Sequence, residues 1–290
     1  MNSLGRLALL VLLLRPAAAI AGPWTRDAGH FYLSTSYLRI AANDFYGPDF
    51  SIVPIRPYDQ QLVSFYGEVG VITRWLTLAV DGVPYRHNEL VGQGYTQGVG
   101  DWRIGAWSGI VTHPLRLALA TTAGLPFGDP HPSAGPSASV AQQQLASSLP
   151  TGDGEYNVEW RISAGYAFGR YPRYPVSHYV VAEAGYWLRT GGIADSFVYH
   201  VEIGTQLPYK YVDRVTVILR LNGVESFASN AQAAANQTGL GNGVTYVAPG
   251  VELYGRIWRG LGASIAWDDA LRARSLPAAG QLKVSLSYQR

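Results

Sequence analysis

The stretch FVYHVEIGTQL, residues 197–207, splits into two sets of alternate residues. Phe197, Tyr199, Val201, Ile203, Thr205 and Leu207 form one set; Val198, His200, Glu202, Gly204 and Gln206 form the other. Period-two alternation marks a strand with two unlike faces. A soluble sheet alternates in the same way, so the fold depends on how often the pattern recurs and on what separates the copies.

It recurs twelve times, at about 29–40, 61–72, 75–85, 99–111, 115–125, 156–168, 177–189, 196–207, 213–224, 244–257, 261–268 and 280–290. Each segment has about ten residues or slightly more, the length a tilted strand needs to cross a bilayer. The connections alternate between short and long. Thr73-Arg74, THP (112–114), GRYPRYPV (169–176), PYKYVD (208–213) and WRG (258–260) are short. Residues 41–60, 86–98, 126–155, 226–243 and 269–278 are long, and TGGIAD (190–195) is of middle length. Outer-membrane barrels sort their connections in this way, with short periplasmic turns and long extracellular loops, and an even strand number returns both ends to the periplasm.

The faces agree. Leu115, Leu117 and Leu119 oppose Arg116, Ala118, Ala120 and Thr122. Val158, Trp160, Ile162, Ala164 and Tyr166 oppose Asn157, Glu159, Arg161, Ser163 and Gly165. Val215, Val217, Leu219 and Leu221 oppose Thr216, Arg220 and Asn222. In these strands every charge falls on one face. That face is rich in Gly, Ser, Ala and opposite charges, as a narrow lumen would be. The other carries Trp160, Tyr166, Phe168, Phe197 and Tyr199 near strand ends, as aromatic girdles do. A closed barrel is the one sheet that leaves no backbone edge unpaired in lipid. The expected fold is therefore all-β: a closed antiparallel transmembrane β-barrel of about twelve strands in a bacterial outer membrane.

Composition excludes other classes. Charged residues make up 14% of the 290, against roughly 25% in soluble domains. There are 19 Tyr, 8 Trp and 33 Gly. Past residue 22 no apolar run is long enough for a transmembrane helix. A formal charge of +2 without a basic run gives no footprint for nucleic acid. No Cys is present, so no disulfide is expected. The N-terminus, MNSLGRLALLVLLLRPAAAIAGP, reads as a cleaved signal peptide over 1–21, with Arg6 as the positive region, Leu7–Leu14 as the apolar core, and Ala19 and Ala21 ahead of the cut. Residues 22–290 then form a single barrel domain.

The candidate functional residues are the lumen-facing charges and one histidine: Glu68, Asp81, Asp101, Arg103, Arg116, Glu159, Arg161, Glu183, Arg189, His200, Glu202, Arg220, Glu252 and Arg256. They either neutralise and fill the interior or form a polar ladder that steers a small solute. Loop 126–155 is the expected constriction, and short helices are expected at 137–149 and 229–239. Enzyme chemistry is not expected. None of His30, His87, His113, His131, His178 and His200 stands in the Ser-His-Asn pattern that outer-membrane phospholipases need, and no HExxH, CxxC or P-loop occurs. No cofactor or metal is implied. The expected partners are the lipid bilayer, a small-molecule solute and, during biogenesis, the barrel assembly machinery.

GVGDWRIGAW (98–107), GLPFGD (124–129), LPTGDG (149–154) and SHYVVAEAGYWLRT (177–190) resemble elements of the outer-membrane family named for a MetA pathway of phenol degradation. The resemblance covers roughly residues 60 to 225; GLPFGD has Phe127 where the family has Thr, and LPTGDG matches the letters better but precedes another strand. It implies a passive channel for small hydrophobic or aromatic compounds, related to long-chain fatty-acid transporters. Those transporters carry a long N-terminal plug. Here about seven residues separate the expected cleavage site from the first strand, a departure that counts against a plug-gated mechanism. The alternatives are a structural or adhesive barrel and, behind it, a lipase-type enzyme.

Overall fold

The computed structural model describes residues 22–135, 137–169, 176–209, 212–233 and 238–290. The expected signal peptide lies outside these residues, as do parts of the turns at 169–176 and 208–213. The strands are β1 (Phe31–Tyr46), β2 (Ile52–Ile72), β3 (Leu76–Leu90), β4 (Gly94–Gly98), β5 (Trp102–Val111), β6 (Leu115–Leu125), β7 (Asn157–Phe168) and β8 (Ser177–Arg189). They continue with β9 (Ser196–Tyr209), β10 (Val212–Ser226), β11 (Thr245–Trp258), β12 (Leu261–Asp268), β13 (Arg272–Arg274), β14 (Leu276–Pro277) and β15 (Gln281–Gln289). Twelve of them, all but β4, β13 and β14, form one antiparallel ring. β1 pairs with β15, and the β10–β11 ladder from Val215↔Gly255 to Val224↔Tyr246 completes the circuit.

The outer wall follows from side-chain alternation. Leu119, Ile162, Ile203, Leu219, Leu253 and Ile265 stand exposed on it, facing hydrocarbon. Trp160, Tyr186 and Phe197 are cross-strand neighbours in one aromatic row, and Trp75, Trp258 and Tyr288 are exposed toward the short-turn end. Arg39 also points outward, at the level of Leu282 and Trp267, and its Nε donates to Asp59 at 2.8 Å. Such a wall places the chain in a bacterial outer membrane.

The ladders do not stop at membrane length. The expected long loop 41–60 is mostly a strand pair, with a connection of residues 47–51 alone. Residues 86–98 likewise pair as the end of β3 with β4. Lipid limits the greasy band, whereas backbone pairing continues wherever β-formers such as Ile52, Val53 and Tyr58 find partners. A helix, α1 (Val140–Ser147), occurs where expected, closed at its start by a Ser139–Gln142 capping box. The second expected helix differs: residues 230–232 form a turn, and 234–237 lie outside the described residues. Among the described residues, no helix is long and apolar enough to cross a membrane.

With no native thiol in the chain, single cysteines report wall orientation cleanly. Leu219→Cys and Leu117→Cys should resist a water-soluble maleimide in vesicles, while Glu202→Cys should react. Fast labelling at Leu219 would reject the lipid-facing assignment.

Candidate functional site

The lumen gathers ion-paired side chains, and it is built in layers. At the short-turn end, residues 22–28 lie inside the barrel. Trp24 meets Tyr179 edge-on at 5.8 Å. Thr25 Oγ1 donates to Arg74 O at 2.6 Å, and Arg26 N donates to Thr77 Oγ1 at 2.8 Å. The Arg26 guanidinium pairs with buried Glu68 and lies over Tyr32. The segment thus braces β7 and β8 against β2 and β3. Gly165 leaves it room, since a Cβ there would stand 2.4 Å from Pro23 Cγ. The short segment ahead of the first strand thus occupies the lower lumen, chiefly through Trp24 and Arg26.

Above this brace lies a waist of ion pairs. Arg103 Nη2 meets Asp81 Oδ2 at 2.7 Å, and its Nη1 stands 3.8 Å from Glu159. Arg161 reaches Glu159 at 2.7 Å through Nε and Glu183 at 2.7 Å through Nη1. Tyr246 comes from the far wall to within electrostatic range of Arg103 and Arg161. A pocket of about 170 Å³, lined by Tyr66, Trp107 and these arginines, lies below the waist.

Above the waist opens a chamber of about 790 Å³. Arg220 holds Glu252 at 2.5 Å and Asp268 at 2.7 Å on one wall. His200 lies between Asn222, 2.7 Å from Nδ1, and Glu202, 3.3 Å from Nε2, and Tyr179 donates to the same Glu202 at 2.5 Å. Leu38, Ile40, Leu62, Val198 and Val224 also face this chamber. These apolar residues occupy the lumen side of the alternation.

Two loops roof the chamber. Asp101 accepts from Gly128 N at 3.0 Å and from Asp153 N at 2.7 Å. The GVGD, LPFGD and LPTGD elements therefore converge on one knot, in which a Cβ on Gly128 would stand 2.5 Å from Gly152 Cα. Asp153 in turn accepts from Gly241 N at 2.5 Å and pairs with Arg189 at 2.6 Å. Arg189 also pairs with Glu155, whose carboxyl burial pushes above its usual range. The expected constriction, 126–155, sends Asp153 into the chamber, but its Leu149 packs with Tyr58 and Leu90 on the β2–β3 extension. Thr238, Gly239, Leu240 and Val244 of the other loop form more of the chamber lining.

The lumen thus gathers Asp81, Arg103, Glu159, Arg161, Glu183, His200, Glu202, Arg220 and Glu252 around the two cavities. Glu68 belongs to the brace. Arg116 stands near Arg74 and Asp27 at the periplasmic rim, Arg256 lies near the lower end of β11, and Arg189 and Asp101 tie loops together. Sequence reading missed Arg26, which precedes the first strand, and Asp153, which sits in a loop. It also missed Arg86, which it placed in the long connection 86–98; β3 instead runs on to Leu90, and past a bulge between Gly82 and Tyr85 the opposite set of its residues faces inward. Lys283, 3.8 Å from Glu252, was visible on the polar face of the last strand.

No protein-family model matches the chain, and no curated protein matches it in sequence. The MetA-pathway resemblance thus rests on its motifs. Among solved structures, the COG4313 outer membrane channel from Pseudomonas putida F1 is similar in fold, with a TM-score of 0.63 at 11% identity, over 94% of this chain and 100% of that one. The β domain of the Bordetella autotransporter BrkA reaches 0.50 at 14% identity, over 91% and 100%. At these identities the likeness concerns the outer-membrane barrel fold.

Removing Arg26 leaves Glu68 buried without its cation. Arg26→Ala should destabilise the barrel by about 3 kcal/mol, read in urea-dependent unfolding from bilayers, and adding Glu68→Gln should recover much of the loss. Gly165→Leu should push Pro23 and Trp24 out and raise single-channel conductance in planar bilayers. An unchanged conductance would show that the brace is not the barrier.

Proposed function

We propose that this protein is a passive outer-membrane channel for small apolar or aromatic compounds and not an enzyme. The observation that carries the reading is the chamber lining. A pore for sugars has no use for Leu38, Ile40 and Val224 part-exposed on its inner face, because water-exposed apolar surface is costly unless something apolar covers it. A cavity of about 790 Å³ falls within the ~300–1,000 Å³ range of small-molecule sites. The ion pairs of the waist and chamber walls satisfy one another, so the charges keep the barrel interior in register while the apolar stripe meets the solute. Both ring nitrogens of His200 already stand by oxygen atoms of Asn222 and Glu202, which is poor placement for a base serving a serine. The resemblance to the phenol-degradation family points to the same solute class.

A structural barrel is the second reading, favoured by the covering of both lumen ends, with residues 22–28 below and the knotted loops above. The two separate in proteoliposomes. A channel of the proposed kind should speed benzoate entry over protein-free liposomes while leaving glucose entry unchanged. Equal acceleration of both solutes points to a general porin, and acceleration of neither points to the structural barrel.

A further inference from the structure

The chamber contains one cation whose surroundings differ from the rest. Arg26, Arg103, Arg161 and Arg220 each hold a carboxylate. Arg86 also lines the chamber, yet its Nε and Nη1 are fully buried and make no hydrogen bond. Its position follows from the chain. Thr77 and Asp81 face inward on the lower part of β3; past the bulge the inward set becomes Arg86, Asn88 and Leu90. The nearest acids, Asp101 and Asp153, lie within electrostatic range, but their oxygens are engaged by Gly128, Asp153, Gly241 and Arg189. They balance the charge of Arg86 without occupying its donors. An unsatisfied buried guanidinium is costly. It is tolerable where a ligand completes it.

What lies beside it sets the ligand. Arg86 is directly opposite Leu62, and Leu62 is directly opposite Leu38. Three strands thus place a cation and two leucines side by side in one row, at strand spacings of roughly 4.8 Å. The carboxylates of the remaining chamber wall, Glu159, Glu183, Glu202 and Glu252, already face Arg103, Arg161, His200, Arg220 and Lys283. Of the described chamber cations, Arg86 alone is thus left to meet an anion, and one guanidinium matches one carboxylate. We infer that Arg86 is the headgroup site for an apolar monocarboxylate, whose body lies along Leu62 and Leu38. The guanidinium fork offers two parallel N–H donors to a carboxylate. The inference rests on the apolar-solute reading above and narrows it to acids.

The test uses the full barrel in lipid nanodiscs and two probes of nearly the same shape, 4-(trifluoromethyl)benzoate and 4-(trifluoromethyl)benzyl alcohol, followed by fluorine NMR. Wild-type protein should bind the acid about tenfold or more tighter than the alcohol, as a charge-assisted pair allows. Arg86→Gln should erase that preference and leave alcohol binding unchanged, which also shows that the variant's chamber is intact. Equal binding of both probes by wild type would overturn the carboxylate site while the apolar channel stands, and this arm needs no variant. An acid preference that survives in Arg86→Gln would also overturn it. Binding of neither probe would remove the apolar-solute reading and the site with it.

Discussion

Hydrocarbon offers no hydrogen bonds, and every backbone N–H and C=O at membrane depth must find its partner within the protein. In this chain that demand is met by the ladder between β10 and β11, where the sheet that begins at β1 returns on itself. Closure creates two surfaces of opposite character from one alternating pattern. The outside needs no charge and has none between the aromatic rows among the strands described; Arg39, the outward exception, sits at the level of Trp267 with Asp59 beside it. The inside receives the remainder of the alternation.

A narrow closed lumen cannot leave those inward groups in bulk water, so they pair. Asp81, Arg103, Glu159, Arg161 and Glu183 run as one ladder across β3, β5, β7 and β8. Arg220 gathers Glu252 and Asp268 on the other side. Separating any one partner strands a buried charge, which is why such networks hold register even when their net stabilisation is small. The same confinement lets a segment as short as 22–28 brace the lower mouth.

The apolar inward residues are the informative break in the pattern. An alternating strand can fill its lumen positions with polar or small residues, as β7 does with Asn157, Glu159, Arg161, Ser163 and Gly165 and β15 with Gln281, Lys283, Ser285 and Ser287. The strands β1 and β2 instead place Leu38, Ile40 and Leu62 there. The chamber thus mixes leucines with a guanidinium whose Nε and Nη1 make no hydrogen bond. Above it, the Asp101 knot fixes two Gly-Asp loops against each other through backbone donors, so the roof is rigid where it meets the wall.

The sequence alone determined the barrel, its twelve crossings, the sorting of turns and loops, and the inward face of Glu159, Arg161, His200, Glu202, Arg220 and Glu252. These follow from a period of two and from the spacing of polar breaks, both local properties. Tertiary structure decided what local pattern cannot carry. The β3 bulge reverses the alternation and turns Arg86 inward. Residues 22–28 lie far in sequence from Glu68 and Tyr179, and only closure of the ring brings them together. Asp101 and Asp153, 52 positions apart, meet because two loops fold over the same rim. Alternation assigns a side to each residue in a regular strand, but it loses count at a bulge and is silent about loops, and those are the places where this lumen acquires its brace, its roof and its unpaired cation.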